Sequence, residues 1–542
     1  MIRAVRGTRD LYPPDTALWN FVEAAVRDVF RAYNFHEIRT PIFEETSLFA
    51  RGVGEETDIV SKEMYTWFDG DQPKEQLLRA WWVRNRALRK QGQGCDPNQV
   101  EFGRQLGTDS ADIYIEGATP NIIVFAMQDD ASARAVLRSL ESGWKSMPAA
   151  RAAPNVEPKL TLLIPDRQRS KTGDPRISTL PDGIELIEIP IAGDLRPLTL
   201  RPENTAGVVR AYIEHKLGDR GLQKLYYIGP QFRRERPQKG RYRQFYQIGA
   251  EVIGPPATGS ESPARDAEVL EMLATLLDRL GIEGWTLELN SVGCAKDRPV
   301  FNEALRQALA GQVDKMCADC QRRAFTNPLR VFDCKVPEDQ PIIEKLPRMS
   351  QFLDEDCRRH FTAVQEILTA TGVPFVLNDR LVRGLDYYTK TAFEFTHGSL
   401  GAQNAILGGG RYDGLSEALG GPPAPGIGFA IGEDRVVLSL KESAESLVRK
   451  PDVYVAPLGA GMNREAAKLA RELRRHDLVV ELGEEGFRLK KSFEAADRVG
   501  ARYILIVGEN EVKADGFALK NLTSGEQVSV PRAELAQKIQ TH

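Results

Sequence analysis

A short segment rich in arginine, Gln231–Arg243, carries the residue types that nucleotide chemistry requires, with six basic residues and one acidic residue. If its first half forms a β-strand, Arg233 and Glu235 lie on one face, because strand side chains alternate. On a returning strand the same rule groups four residues: Phe245, Gln247, Gly249 and Glu251. One sheet surface would then suit a nucleotide beside an ammonium-bearing ligand. The alternative is a solvated, salt-bridged hairpin.

The elements that must position this surface are indicated by hydrophobic periodicity. Residues 224–253 are typical of two strands joined by a short turn, and residues 18–33 of an amphipathic helix. The run HEIRTPIFEE predicts a strand at an edge or an interface, because Pro41 lacks the N–H that a central strand donates. Residues 380–435 indicate strands and glycine-rich turns, ending in a helix near Phe429–Leu440. Strand and helix patterns alternate from 452 to 542, which predicts an α/β module with a mixed or parallel sheet.

Residues 70–197 follow a different pattern and carry no motif. Helices are predicted over Lys74–Arg89, which contains Trp81 and Trp82, and over Asp129–Lys145. Strands are predicted over two further segments: Lys159–Pro165 and Gly183–Pro190. The two tryptophans could contact RNA or belong to a core, and core is the favoured interpretation.

Several segments resemble, in order along the chain, the histidyl-tRNA synthetases, a family of class II aminoacyl-tRNA synthetases. RTPIFEE resembles motif 1, the dimer strand, and GPQFRRERPQKGRYRQFYQIGAEV resembles motif 2. LVRGLDYYTKTAFEF resembles the histidine-specific signature, and GGGRYDGL with GIGFAIGEDRVV resembles the glycine-rich segment and motif 3. LTLRPENTAGVVR resembles the amino-acid loop, with Asn204 where glycine is usual, which could crowd the loop. LKKSFEAADRVGARYILIVGENE resembles the anticodon-binding domain.

The resemblance implies an α+β fold: a class II synthetase antiparallel β-sheet flanked by helices, plus a C-terminal α/β anticodon-binding domain. The resembled family usually passes from an EMYTWFD-like sequence (63–69) to the amino-acid loop in a few residues. About 125 residues therefore form an insertion here, expected to project between two adjacent strands. The predicted domains are the first catalytic part (1–69), the insertion (70–197), the amino-acid loop and motif 2 (198–294), a mostly helical insertion domain (295–375), the signature and motif 3 (376–441), and the anticodon-binding domain (452–542).

The implied reaction joins L-histidine and ATP into histidyl-adenylate and pyrophosphate, and then transfers histidine to the 3′ end of tRNA(His). Two anions must meet, so fixed cations are needed where charge develops. The resemblance assigns this catalytic role to three arginines: Arg233, Arg383 and Arg435. Arginine suits it, because its planar, permanently charged fork binds oxyanions in pairs. Mg²⁺ is expected to arrive with ATP, and a homodimer is expected from motif 1.

The resemblance also assigns the two substrate pockets. The implied histidine-binding residues are Glu203, Thr205, Gln247, Glu251, Tyr387 and Tyr388. The implied ATP-binding residues are Arg233, Glu235, Arg241, Phe245 and Arg435. The loop Arg236–Gly240 lies where the family meets the tRNA acceptor end. Structural roles are the alternatives: a helix cap or ion pair for Glu203, strand core for the tyrosines, and a local salt bridge for Arg435.

Metals, membranes and secretion are not predicted. The pair Cys317 and Cys320 supplies two ligands where a structural zinc site needs four, so free thiols are expected although Cys334 and Cys357 follow. Six cysteines in 542 residues fit a reducing compartment, and the N-terminus lacks the apolar core of a secretory signal. A cytoplasmic protein without membrane contact is therefore expected. The formal net charge of −4 requires that any RNA contact come from local basic patches.

Three other functions are alternatives. One is a generic ATP-binding RNA module without ligase activity, against which the retention of all three phosphate arginines argues. A catalytically inactive paralogue of this family regulates histidine biosynthesis, but it typically lacks the C-terminal module and parts of the catalytic set, which this chain keeps. A class II synthetase for another amino acid is the third alternative, and LVRGLDYYT together with Glu251 argues against it.

Overall fold

The computed structural model describes residues 2–54, 57, 59–68, 197–235, 241–385, 387–400 and 404–541, together with the backbone of five strands between residues 100 and 189. The predicted loop 236–240 and the predicted helices over 74–89 and 129–145 lie outside the described residues. Contacts divide the chain into two units, residues 1–10 with 22–440 and residues 11–21 with 441–542. Each unit is described by itself.

The first unit contains a central eight-stranded sheet. Strands are numbered in chain order, and those missing from this sheet belong to two other sheets described below. The eight strands are β1 (His36–Glu37), β10 (Gln223–Phe232), β11 (Gln244–Ile253), β12 (Trp285–Ser291), β13 (Val376–Leu377), β14 (Thr389–His397), β15 (Ala405–Arg411) and β16 (Gly426–Gly432). The spatial order is β1-β10-β11-β16-β15-β14-β12-β13. The six inner strands pair antiparallel, as predicted, and the two edge strands β1 and β13 run parallel to their neighbours.

Two local expectations need correction. The run HEIRTPIFEE forms two strands and not one: β1 ends before Pro41, and β2 (Phe43–Glu45) belongs to a separate sheet. Both lie at the edge of their sheet, as expected from the proline. The helix expected near Phe429–Leu440 spans Glu433–Ser439, since Phe429 belongs to β16.

Helices cover the sheet as the hydrophobic pattern indicates. The helix predicted over 18–33 spans Thr16–Ala32. The remaining α-helices among the described residues of 22–440 are Thr46–Val53, Thr205–Glu214, Pro263–Arg279, Asp297–Leu309, Ala318–Thr326, Gln340–Ile343, Glu355–Thr371, Leu415–Ala418 and Glu433–Ser439. Those between 297 and 371 surround one apolar cluster that includes Phe301, Leu305 and Val331, so the segment 295–375 is mostly helical, as expected.

A buried ionic network ties two of these helices to the sheet. Arg411 of β15 pairs with Asp266 on helix Pro263–Arg279, and both side chains are fully buried. His360 on helix Glu355–Thr371 bonds the same carboxylate, with Nε2 at 2.8 Å. Although burial alone would raise the pKa of Asp266, Arg411 and His360 hold it at about 2. Because a buried charge is tolerated only when paired, these three elements must stay together.

The second unit contains a five-stranded sheet of order β18-β17-β19-β20-β21. Its strands are β17 (Val453–Leu458), β18 (Val480–Leu482), β19 (Tyr503–Gly508), β20 (Gly516–Asn521) and β21 (Gln527–Pro531). Its helices are Ala444–Leu447, Met462–Arg474, Leu489–Arg498, Glu509–Ala514 and Leu535–Gln540. β17, β18 and β19 are parallel and the others antiparallel, which confirms the predicted mixed sheet.

The segment between 69 and 196 leaves and re-enters the first unit at neighbouring strands. β3 (Tyr65–Phe68) pairs antiparallel with β9 (Pro197–Leu200), and Phe68 lies opposite Pro197. Five further strands form a sheet of their own: β4 (Val100–Phe102), β5 (Ala111–Glu116), β6 (Ile122–Met127), β7 (Lys159–Pro165) and β8 (Ile184–Ile189). The expected exit between two adjacent strands is confirmed, as are both predicted strands of this segment. The six domain boundaries remain a prediction.

This geometry makes the segment removable. Because the ends of β3 and β9 face each other, a four-residue turn in place of residues 69–196 closes an ordinary hairpin. We expect the shortened protein to keep the cooperative urea unfolding of the first unit. Loss of cooperative unfolding would show instead that residues 69–196 contribute to the core.

Candidate active site

A cavity of about 340 Å³ opens above the centre of the eight-stranded sheet. Eleven of the twelve residues assigned from the sequence line it: Glu203, Thr205, Arg233, Glu235, Arg241, Phe245, Gln247, Arg383, Tyr387, Tyr388 and Arg435. The twelfth, Glu251, lies behind the wall and bonds to Thr205. Side chains that are far apart in the chain therefore meet at one place. Their individual roles stay predictions.

The basic end of the cavity is built where β10 and β11 leave the sheet. The predicted strand included Arg233 and Glu235, but β10 ends at Phe232 and both residues lie just beyond it, although the Arg233 amide still bonds the Arg243 carbonyl at 3.0 Å. The Arg233 guanidinium lies over the Phe245 ring, 5.2 Å from its centroid, and donates to the Pro202 carbonyl. This anchoring leaves a fixed cation beside an aromatic face, an arrangement suited to a phosphate and a base.

Glu235 and Arg241 form an ion pair across the same end, with Arg241 Nη1 3.0 Å from Glu235 Oε2. Arg435 approaches from the other side, on helix Glu433–Ser439, and donates to the Ala405 carbonyl at 2.6 Å. The neighbouring Asp434 pairs with Arg9.

At the end of the cavity opposite the arginines, hydrogen bonds connect Glu203, Thr205 and Glu251 in a chain. Glu203 is 4% exposed, and its carboxylate accepts hydrogen bonds from the amides of Thr205 and Ala206 at 2.7 and 3.0 Å. Burial raises the pKa of Glu203, while these two amides and Arg233 oppose the rise. The carboxylate thus caps helix Thr205–Glu214, as the structural alternative anticipated, and it also lines the cavity, where a ligand ammonium can reach it.

Glu251 continues this chain below the cavity wall. It is fully buried, Thr205 Oγ1 donates to its Oε1 at 2.8 Å, and its Oε2 has no hydrogen-bond partner among the described residues. Gln247 likewise has an unpaired carbonyl oxygen, Oε1. Buried polar atoms without partners are rare in folded proteins. These two unpaired acceptors suit a ligand that brings N–H groups.

The aromatic wall comes from the signature segment. The rings of Tyr387 and Tyr388 lie 4.7 Å apart between centroids, and Tyr387 meets Tyr412 edge to face at 5.9 Å. Arg383 lies 5.9 Å from the Tyr388 ring and pairs with Glu394, with Nη1 2.7 Å from Oε1. The strand-core alternative holds only in part: Tyr388 is 7% exposed, but both tyrosines line the cavity.

Three contributors were missed by sequence analysis: Tyr227, Glu394 and Tyr412. Glu394 stands in the quoted signature and holds Arg383. Tyr227 lies opposite Gly249, where a Cβ would come within 2.3 Å of its ring. The feature that could have identified Tyr227 from the sequence is a glycine placed opposite an aromatic residue on two paired strands.

Asn204 is accommodated without backbone strain. Its φ of −122° is open to any residue, and its side chain accepts a hydrogen bond from Thr40 Oγ1 at 2.5 Å. Arg201 in turn donates to Thr40 Oγ1 at 2.9 Å. The amide that replaces the family's usual glycine therefore bonds the segment around Pro41.

Comparison with known proteins gives the same family. A model of the histidyl-tRNA synthetase family matches residues 191–436, and an anticodon-binding domain model matches residues 452–542. The chain is 56% identical over 543 residues to a histidine–tRNA ligase of Koribacter versatilis, covering 100% of this chain and 97% of that protein. It is 45% identical over 541 residues to one of Solibacter usitatus, covering 99% of each.

A solved structure extends the likeness to three dimensions. The apo histidyl-tRNA synthetase of S. aureus is 28% identical, with a TM-score of 0.63 and 100% of both chains covered. The sheet, its flanking helices and the arginine-lined cavity define a class II aminoacyl-tRNA synthetase. Within that class, the chain belongs to the histidyl-tRNA synthetase family. No helix among the described residues is long and apolar enough to span a membrane.

The burial of Glu251 predicts a pH-dependent stability. Burial raises its pKa to about 8, whereas an unfolded glutamate ionises near pH ~4.3. Below the unfolded value the folded state keeps its full stability, and this contribution is lost as pH rises through about 8. We expect the denaturation midpoint of the wild type to fall relative to that of Glu251→Gln between pH 5 and 9. A constant difference would show that Glu251 is ionised throughout. The exposed Glu417→Gln serves as control.

The contact between Gly408 and Arg383 predicts that a side chain at Gly408 lowers the activity. A Cβ at Gly408 would lie 2.6 Å from Arg383 Nη2, so Gly408→Ala must displace the guanidinium. We expect pyrophosphate exchange to fall by ~10-fold or more, as for a displaced electrostatic group. Gly398→Ala meets no atom within 4 Å and should keep wild-type exchange. Equal rates for the two variants would show that Arg383 adjusts freely.

Proposed function

We propose that this chain is a histidine–tRNA ligase, in which the residues around the cavity activate L-histidine with ATP and prepare its transfer to tRNA(His). The observation that carries the proposal is the convergence of Arg233, Arg383 and Arg435 on a cavity whose opposite end holds the Glu203–Thr205–Glu251 chain. The arginines at one end suit the carboxylate and the phosphate that react. The hydrogen-bond acceptors at the other end suit the ammonium and the imidazole of histidine.

In the activation step, the histidine carboxylate attacks the α-phosphorus of ATP and pyrophosphate leaves. Arg383 is proposed to lie between the carboxylate and the α-phosphate, held there by Glu394 at 2.7 Å. Arg233 is proposed to bind the α-phosphate and Arg435 the γ-phosphate end. No side-chain nucleophile is needed, because orientation and electrostatic stabilisation lower the barrier.

Histidine selection is proposed to use the buried acceptors. Glu203 accepts the α-ammonium, with Thr205 and Gln247 beside it. Glu251 accepts one imidazole N–H, and Tyr388 meets the other ring nitrogen, with Tyr387 alongside. A site built around paired buried acceptors discriminates strongly against amino acids that leave them unpaired.

ATP is proposed to place its adenine against Phe245, with Glu235 and Arg241 at the base and phosphate. Mg²⁺ is proposed to accompany the phosphates. The cavity carboxylates of Glu235 and Glu394 are each paired with an arginine, so the phosphate oxygens would be its main ligands. We further propose a cytoplasmic homodimer joined through the segment around Pro41, with the unit of residues 452–542 contacting the tRNA anticodon.

The inactive regulatory paralogue is the alternative function. The full-length relatives at 56% and 45% identity are both named histidine–tRNA ligases, which supports the ligase. The intact set of cavity arginines supports it as well, since a regulatory subunit has no need of phosphate-binding side chains.

The test is amino-acid-dependent ATP–pyrophosphate exchange with the purified full chain. Histidine alone should support exchange, and Arg383→Ala should lower it by ~100-fold or more. Arg380→Ala is the matched control, because Arg380 is bound to Glu344 and Gln340 and does not line the cavity. Exchange with another amino acid, or none in folded protein, would contradict the proposal.

A further inference from the structure

Four potential metal ligands converge in the helical segment, away from the cavity. They are Cys317, Cys320, Cys334 and Asp339, and their sulfur and oxygen atoms all lie within 4.8 Å of one another. Three of the four side chains are buried. The sequence supplied only the Cys317–Cys320 pair, which was the reason for expecting free thiols; the fold adds a third thiol and a carboxylate.

The distances match a tetrahedral site. Zn–S bonds of ~2.3 Å in a tetrahedron place two sulfurs about 3.8 Å apart, and Cys317 Sγ lies 3.9 Å from Cys334 Sγ. Asp339 Oδ2 lies 3.1 Å from Cys334 Sγ, which leaves a small movement to complete the coordination shell. Thiolates and one carboxylate are ligands that zinc accepts in closed structural sites.

Backbone amides already point at the sulfur atoms. The Cys320 amide lies 3.5 Å from Cys317 Sγ, and the Val336 amide lies 3.4 Å from Cys334 Sγ. The Cys317 amide donates to both oxygens of Asp339, at 3.1 and 3.3 Å. Such outer contacts orient the ligands and stabilise their anionic forms.

Simple packing of buried thiols is the competing explanation, because Cys320 and Cys334 belong to the apolar cluster of this segment. It does not account for Asp339, which is 1% exposed and bonds an amide 22 residues away and a thiol. A buried carboxylate costs free energy unless hydrogen bonds and a cation compensate its charge, and the described hydrogen bonds of Asp339 come from one amide and a thiol.

A second cluster of similar composition offers a contrast: Cys294, Asp297, Asp354 and Cys357. Its carboxylates have ordinary structural partners. Asp354 caps helix Glu355–Thr371 through the Cys357 amide at 2.7 Å, and Asp297 accepts the Cys294 and Asp354 amides at 3.0 and 2.9 Å. Backbone amides therefore occupy both carboxylates of this cluster, which also offers two thiols where the first cluster offers three.

We propose that Cys317, Cys320, Cys334 and Asp339 bind one structural zinc ion. The ion joins the start of helix Ala318–Thr326 to the chain on both sides of Val336. It also fixes the end of the 3₁₀ segment Pro328–Asp333, which precedes Cys334.

This position links the ion to the cavity through Arg330. Arg330 lies in the same 3₁₀ segment, pairs with Asp333 at 2.8 Å and donates to the Arg383 carbonyl at 3.2 Å. Loss of zinc should therefore loosen the loop that carries Arg383. A fall in pyrophosphate exchange is expected from that loosening. This expectation rests on the proposed function, whereas zinc binding itself does not.

The experiment measures zinc per chain in full-length protein purified without an affinity tag that binds metals. One equivalent that survives dialysis is expected in the wild type. The double variant Cys317→Ser/Cys320→Ser should lose that equivalent, and Cys294→Ser, in the contrasting cluster, should keep it. Wild-type protein without zinc, which also takes up none from a zinc titration under reducing conditions, would overturn the proposal. So would loss of the ion in Cys294→Ser alone.

Cobalt substitution keeps the test decisive if the double variant does not fold. Wild-type protein loaded with Co²⁺ should show sulfur-to-cobalt charge transfer and the visible bands of a tetrahedral site. Asp339→Cys adds a fourth thiolate, so its charge-transfer intensity per cobalt should rise by about one third over the three thiolates of the wild type. Equal intensities would show that Asp339 is not a ligand and contradict the proposed set.

Discussion

The cavity exists because several positions on adjacent central strands carry no side chain. A Cβ at Gly428 would lie 1.7 Å from Glu251 Oε2, and one at Gly408 would lie 2.6 Å from the Arg383 guanidinium. Gly410 pairs in register with Gly428 and lies against the Tyr388 ring. Because these glycines have no side chain, the Glu251 carboxylate, the Arg383 guanidinium and the Tyr388 ring pack directly against the strand backbone. This backbone surface forms a floor for the three groups. The polar groups can then be large while the space above them stays open.

Placing charges on that floor requires rigid support beneath it. The Arg411–Asp266–His360 network lies at the end of β15, one residue after the glycines. Its groups are buried and mutually paired, so separating them exposes an uncompensated charge in a low-dielectric interior. β15 is therefore fixed against two helices at the place where it must also remain bare. The protein obtains a precise floor through polar anchoring rather than through side-chain packing on both faces.

Much of this arrangement was predictable from local sequence. Strand alternation correctly grouped Phe245, Gln247, Gly249 and Glu251 on β11, and β10 and β11 pair antiparallel as expected. The strands end earlier than predicted, so Arg233 and Glu235 reach the cavity from the connection 233–243 and not from the face of a strand. The glycine-rich segments were recognised by resemblance, but their role as a floor was not, since it depends on which side chain lies opposite each glycine. Tyr227 was missed for this reason: its partner Gly249 lies on another strand, and the register that brings them together is set by the whole sheet. The individual roles of the cavity residues stay predictions, because residue types and positions do not by themselves fix what each one binds.

The cysteines show where spacing alone stops being informative. A CxxC pair is local, because both sulfurs project from one helical turn, so the sequence revealed it at once. Cys334 follows the 3₁₀ segment Pro328–Asp333, and Asp339 ends a second one, Pro337–Asp339. The path of this chain depends on the apolar cluster around Phe301 and Val331, and no local pattern marks Cys334 and Asp339 as neighbours of that pair. The same path delivers Arg330 to the carbonyl of Arg383. The interior geometry of the helical segment and the position of a cavity arginine therefore depend on the same few turns of chain. We expect a change at the cysteine cluster to reach the cavity through the Arg330 side chain, which joins Asp333 to the Arg383 carbonyl.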